Sequence, residues 1–154
     1  EIESSGYELE LAGEVQRGVQ LAAGYTYVKI EDEAGKHERT FVPKQMLRLS
    51  TSWRVLPALT LGLRLNWQDA IFVEPKDVTA TTGPNVGRPV RVEQASYALV
   101  DLMARYDLMK NLALAVKLNN VTDQKHYTSL YWADSNLAIY GAPRHIDATL
   151  SWKF

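Results

Sequence analysis

The segment His145-Ile146-Asp147-Ala148-Thr149-Leu150-Ser151-Trp152-Lys153-Phe154 alternates strictly and stops on an aromatic residue. Side chains of a strand repeat every two residues. Ile146, Ala148, Leu150, Trp152 and Phe154 therefore share one face, and Asp147, Thr149, Ser151 and Lys153 share the other. A strand with one apolar and one polar wall, with no polar tail after its final Phe, reads as the closing strand of a membrane-spanning β-barrel.

Six earlier segments repeat the pattern. Tyr7, Leu9, Leu11 and Val15 alternate with Glu8, Glu10, Ala12 and Glu14. Val19, Leu21, Ala23, Tyr25 and Tyr27 alternate with Gln20, Ala22, Gly24 and Thr26. Leu47, Leu49, Thr51, Trp53 and Val55 oppose Arg48, Ser50, Ser52 and Arg54. The cleanest run sets Leu59, Leu61, Leu63, Leu65 and Trp67 against Thr60, Gly62, Arg64, Asn66 and Gln68. Ala98, Val100, Leu102, Ala104 and Tyr106 oppose Asp101, Met103 and Arg105, and Leu112, Leu114, Val116 and Leu118 oppose Ala113, Ala115, Lys117 and Asn119. Sustained period-two alternation is the strand signal, and no window keeps a helical period over three turns. The fold class is therefore all-β, with about seven antiparallel strands.

The connections alternate in length. Those at Arg17-Gly18, Leu56-Pro57-Ala58 and Met109-Lys110-Asn111 are short, and those over 31–44, 74–94 and 122–140 are long. Transmembrane barrels of the up-and-down type have short periplasmic turns and longer external loops. With a periplasmic C-terminus every short turn falls inside and every long loop outside. Aromatics near the run ends (Tyr25, Tyr27, Trp53, Trp67, Tyr106, Trp152, Phe154) suit interfacial girdles. Seven strands put the first strand's start at the outer rim and leave two unpaired edges. In a bilayer each unsatisfied backbone group costs several kcal/mol, so the expectation is the C-terminal part of a larger barrel.

Bulk properties exclude rather than identify. A net charge of −1 gives no electrostatic case for nucleic acid, and the absence of cysteine excludes disulfides and thiol chemistry. Residues 1–6 have neither the basic head nor the apolar stretch of a signal peptide, and no run approaches the ~20 apolar residues of a membrane helix.

Several ordered elements resemble one family. Leu118-Asn119-Asn120-Val121-Thr122-Asp123-Gln124-Lys125-His126-Tyr127 resembles the N-N-L-F-D-K-x-Y stretch near the end of TonB-dependent outer-membrane receptors. Tyr140-Gly141-Ala142-Pro143-Arg144 resembles their G-x-P-R element, and Ile2-Glu3-Ser4-Ser5-Gly6-Tyr7-Glu8-Leu9-Glu10 resembles their E-S-x-G-x-E-x-E strand opening. Val42-Pro43-Lys44 and the strand start at Ala95–Asp101 are similar to recurrent elements there. Thr122 and His126 depart from the pattern, standing where the family usually has Phe and often an aromatic. The resemblance is greatest to the ferric-siderophore branch. It implies a 22-stranded barrel in the outer membrane of a Gram-negative bacterium, importing a ferric siderophore. It further implies an N-terminal plug domain and a TonB-contacting segment, both absent from these 154 residues. The remaining implied partners are outer-membrane lipid and the barrel-assembly machinery, the latter reading Leu150, Trp152 and Phe154 as its signal.

Tyr127, Tyr131, Trp132 and Tyr140, in the last long loop, are candidates for stacking on a chelate; ordinary loop packing explains them more simply. Arg88 and Arg91 would attract an anionic chelate, against the plainer reading of solvated loop charge. Glu8, Glu10, Glu14, Arg48, Arg54, Arg64, Asp101, Arg105, Asp147 and Lys153 read as a polar lumen, with plug contact as an extra role. His37, His126 and His145 have no metal-ligand spacing, and no cofactor site or nucleophile elbow stands out, so catalysis is not expected. The rival readings are a small autonomous outer-membrane barrel, structural or lipid-modifying, and a soluble ligand-binding β-barrel. The latter would turn its apolar faces inward.

Overall fold

The computed structural model describes residues 1–74, 80–84, 86–88, 90–131 and 137–154. All seven expected runs are strands of one sheet: β1 (Ile2–Gln16), β2 (Val19–Asp32), β3 (Gln45–Leu56), β4 (Leu59–Gln68), β7 (Tyr97–Met109), β8 (Leu112–Asn119) and β11 (His145–Trp152). Four short strands lie within the long connections and form two hairpins, β5 (Ile71–Val73) with β6 (Val92–Gln94) and β9 (Tyr127–Tyr131) with β10 (Leu137–Tyr140). The long segments read as plain loops thus carry small ladders of their own.

The sheet order is β1-β2-β3-β4-β7-β8-β11, and every neighbouring pair is antiparallel. Residues paired across an antiparallel ladder point to the same side, so the register can be followed as rows. One row reads Gly13, Leu21, Thr51, Leu63, Leu102, Leu118, Ile146. The next towards the long loops reads Leu11, Ala23, Leu49, Leu65, Val100, and the one beyond it Leu9, Tyr25, Leu47, Trp67, Ala98. On the opposite side one row reads Ala12, Ala22, Ser50, Arg64, Asp101. A one-residue slip anywhere would mix these two sets, so the apolar pattern itself holds the register.

The short-turn end is built repetitively. Register shifts at Glu14/Gln16, Arg54/Leu56 and Asp107/Met109 mark a bulge just ahead of each turn. The turn carbonyls of Gly18, Ala58 and Asn111 accept from the backbone N–H groups of Arg54, Asp107 and Lys153 at 2.8, 2.8 and 2.9 Å. Gly18 has φ +78°, a conformation that favours glycine.

Among the described residues no second layer covers the apolar side. The chain exposes 11440 Å² for a mass of 17.4 kDa. A compact monomer of that mass exposes about 7,900 Å². Leu9, Leu11, Trp53, Ile146, Leu150 and Trp152 are each more than half exposed. Among the described residues the buried apolar side chains are Ile30, Ile71, Ala113 and Leu130, and Ile71 and Leu130 lie in the loop hairpins. Hollows of about 420, 580 and 690 Å³ lie against the polar side, so the sheet curls with its polar wall concave. A soluble carrier would curl the other way. Trp67 and Leu59, in the row of Tyr106, are eight residues apart on β4. That is about 26 Å along the strand and about 20 Å after a ~40° tilt, most of a ~25 Å apolar band.

Candidate functional site

Two places concentrate polar chemistry: the concave wall and the rim where the long connections meet. On the wall, direct pairing sets Glu10 and Arg48 in one row with Gly24 between them, Arg64 opposite Asp101, and Glu14 in the row of Lys117 and Asp147. Alternation puts the expected lumen charges of β1, β3, β4, β7 and β11 on this one side.

Asp101 joins the wall to the rim. It is 3.5 Å from Lys117 Nζ, and its Oδ1 accepts the backbone N–H of Asn120 at 3.0 Å. Asn120, only 4% exposed and at φ +49°, opens the last long connection. Its Nδ2 donates to the carbonyls of Gln124 (3.0 Å) and Ala142 (3.2 Å), and its Oδ1 accepts the Gln124 N–H at 2.9 Å. Asp123, at φ +52°, accepts the Arg144 N–H at 2.9 Å. Asn and Asp tolerate the left-handed region because their short polar side chains bond locally. The two motif stretches therefore close on each other and fasten the start of β11 to the end of β8.

His126 completes this turn. It is buried, its ring lies 4.8 Å from that of Tyr97, and its Nδ1 donates to the Gln124 carbonyl at 3.0 Å. The imidazole thus fills an aromatic's position. Gly141 packs against the same ring, and a Cβ there would collide with it. His37 and His145 likewise donate from Nδ1 to nearby carbonyls, of Ile30 at 2.9 Å and Pro143 at 2.8 Å.

The rim is knitted across connections. Thr40 Oγ1 donates to the Phe72 carbonyl at 2.6 Å and the Phe72 N–H returns to the Thr40 carbonyl at 3.0 Å. The Tyr127 N–H donates to Gln94 Oε1 at 2.8 Å, joining β9 to β6. Of the ligand candidates, Tyr127 and Tyr140 come together, with ring centroids 4.6 Å apart and hydroxyls at 3.2 Å. This hydrogen bond raises the Tyr127 pKa above the usual phenol value, assisted by the neighbouring Tyr140 charge and by desolvation. Tyr131 ends β9, and Trp132 lies outside the described residues. Arg91 lies 3.8 Å over the Phe72 ring and pairs with Glu93 (2.6 Å) and Glu74 (3.1 Å). Hydrogen bonding to Glu93 is the largest cause of its raised pKa. Its charge is therefore compensated locally. Arg88 is exposed, and its carbonyl accepts the Ala80 N–H at 2.9 Å. Leu150 and Trp152 stand on the apolar side opposite Leu114 and Leu112, with Phe154 fully exposed beyond them.

Sequence reasoning did not find the Asn120 bonds, nor the Thr40–Phe72 and Gln94–Tyr127 links. The only available signals were the Asn119-Asn120 pair and Gly141, whose roles depend on residues about twenty positions away.

A family model described as "TonB dependent receptor-like, beta-barrel" matches residues 1–121. The ferripyoverdine receptor of Pseudomonas aeruginosa is 35% identical over 158 residues, covering 98% of this chain and 18% of the receptor. The ferric-pyoverdine BN7/BN8 receptor of Pseudomonas putida is 33% identical over 156 residues, covering 98% of this chain and 17% of the receptor. The crystal structure of the P. aeruginosa outer-membrane receptor bound to ferripyoverdine matches with a TM-score of 0.83 over 99% of this chain and 20% of that one. These relatives are receptors, not enzymes, and the chain spans about a fifth of their length or less.

Proposed function

The chain belongs to the TonB-dependent receptor β-barrel family, and on that premise we propose that it is the C-terminal stretch of wall of an outer-membrane receptor importing a ferric siderophore. The observation that carries this reading is 35% identity along essentially the whole chain to a ferripyoverdine receptor, coupled to the same curved wall. Ferric pyoverdine is the ligand class to test first, since several relatives are named for it. In this reading the short turns and C-terminus are periplasmic, and the Tyr127–Tyr140 rim faces outward. A plug and a TonB-contacting segment occupy other parts of the receptor. Leu150, Trp152 and Phe154 supply the assembly signal, so removal of Phe154 from the full-length receptor lowers its surface level.

The test is uptake. The full-length receptor, expressed in cells lacking other pyoverdine receptors, is expected to accumulate radioactive iron from ferric pyoverdine only when TonB is present. Absence of uptake, or uptake equal with and without TonB, contradicts the reading.

A further inference from the structure

Above the wall, the three long connections are joined in series by two side chains that stand in for backbone groups. The Phe72 N–H donates to the Thr40 carbonyl at 3.0 Å, and the Thr40 hydroxyl, in place of a backbone donor, donates to the Phe72 carbonyl at 2.6 Å. The first connection is thereby added to the edge of β5 that faces away from β6. On the far side, buried Gln94 of β6 uses its Oε1 as a backbone carbonyl would, accepting the Tyr127 N–H of β9 at 2.8 Å. Its Nε2 donates to the Ala95 carbonyl at 2.9 Å, which fixes the amide in that orientation. The series Thr40, β5, β6, β9, β10 thus crosses from the first connection to the last. Three of the buried apolar side chains lie along it: Ile30 at the top of β2, Ile71 of β5 and Leu130 of β9.

The series is anchored at its ends and loose in its middle. At one end the Glu38 N–H donates to the Ile30 carbonyl at 2.9 Å; at the other the His126 ring lies against Tyr97. In the middle the wall ladder stops at Gln68 and Tyr97, while the β5–β6 ladder starts at Ile71 and Gln94. Residues 69–70 and 95–96 belong to neither ladder. The rim strands have only three to five residues each, and an isolated two-stranded ribbon is marginal in water. Each ribbon therefore depends on its neighbour in the series, and loss of one link leaves unpaired backbone on both sides of it. We propose that the three connections form one strap across the rim, which opens and closes as a unit and not as three separate loops. A contact made at Tyr127 or Tyr140 is then felt at Thr40, two connections away. The strap is a property of the rim itself and does not depend on the transport reading.

Hydrogen–deuterium exchange of the full-length receptor in detergent, read on proteolytic peptides, tests this with Gln94→Met and Thr40→Val. Each replaces a side chain by an apolar one of similar size and removes one link. Either variant is expected to speed exchange by the same factor, about fivefold, in peptides covering 37–42, 70–74 and 126–131. Peptides of β3 and β4 keep the parent rate. Faster exchange confined to 126–131 in Gln94→Met, and to 37–42 and 70–74 in Thr40→Val, would overturn the strap, because the connections would then open separately. A rise that spreads into β3 and β4, or no rise in either variant, would overturn it as well.

Discussion

The apolar wall and the Asn120 turn are stabilised in opposite ways. Along the row Leu21, Thr51, Leu63, Leu102, Leu118 and Ile146 the side chains meet no second layer among the described residues, and Leu102 and Ile146 are 42% and 68% exposed. What stabilises that row is the medium around it, and any residue of the right polarity serves. Asn120 is 4% exposed, and its side chain makes three hydrogen bonds while its N–H makes a fourth. No other side chain reproduces that set at φ +49°. The wall tolerates substitution within its pattern; the turn tolerates almost none.

The sharpest way to break this contrast is Asn120→Ala. It removes the bonds to the half-buried Gln124 N–H and carbonyl and to the carbonyl of exposed Ala142, and forces Ala into a left-handed conformation, for about 2–4 kcal/mol. Urea unfolding of the full receptor in detergent measures it, and Asn120→Gly should recover about 1 kcal/mol of the loss. A cost below that of an ordinary surface change would mean that the Asn120 bonds do not hold the turn.

Next in size is Leu63→Arg, with Ser52→Arg on the opposite side, between Gln20 and Gly62, as its control. At mid-depth the first should cost about 2–4 kcal/mol when the receptor is folded into lipid, and the lumen-facing change little. Equal costs would mean that the two faces see the same solvent. Gly141→Ala pushes a methyl into the His126 ring and should cost about 1–3 kcal/mol by the same unfolding assay. The smallest effect is Arg91→Ala. Its ion pairs are exposed, so the change should stay within about 1 kcal/mol despite the Phe72 contact.

The wall was legible because its information is local: in the run Leu59–Gln68 each residue declares its face by polarity alone, and the register follows from matching faces. The rim was not legible in that way. Tyr127 and Tyr140 pair because a hairpin brings positions 13 apart together, and Arg91, besides pairing with Glu93, reaches Glu74, 17 residues earlier. Neither distance has a period to betray it. The Asn120 turn lies between these cases. Its residues were recognisable as a motif, yet what they bond to, Ala142 and Asp101, is set by the closed turn and not by neighbouring sequence. His126 shows the limit well, since a departure in residue type preserves an aromatic contact with Tyr97.

Alternate residues of each long strand face lipid and a watery lumen. These 154 residues contain no cysteine, so single cysteines along 59–68 of the full-length receptor can carry a spin label. Collisions with oxygen dissolved in the bilayer and with a water-soluble nickel chelate then report each face. Oxygen maxima are expected at positions 61, 63 and 65 and nickel maxima at 62, 64 and 66, out of phase by one residue. Labels at 61, 63 and 65 shielded from both reagents would mean that the apolar wall packs against protein, and would contradict this alternation.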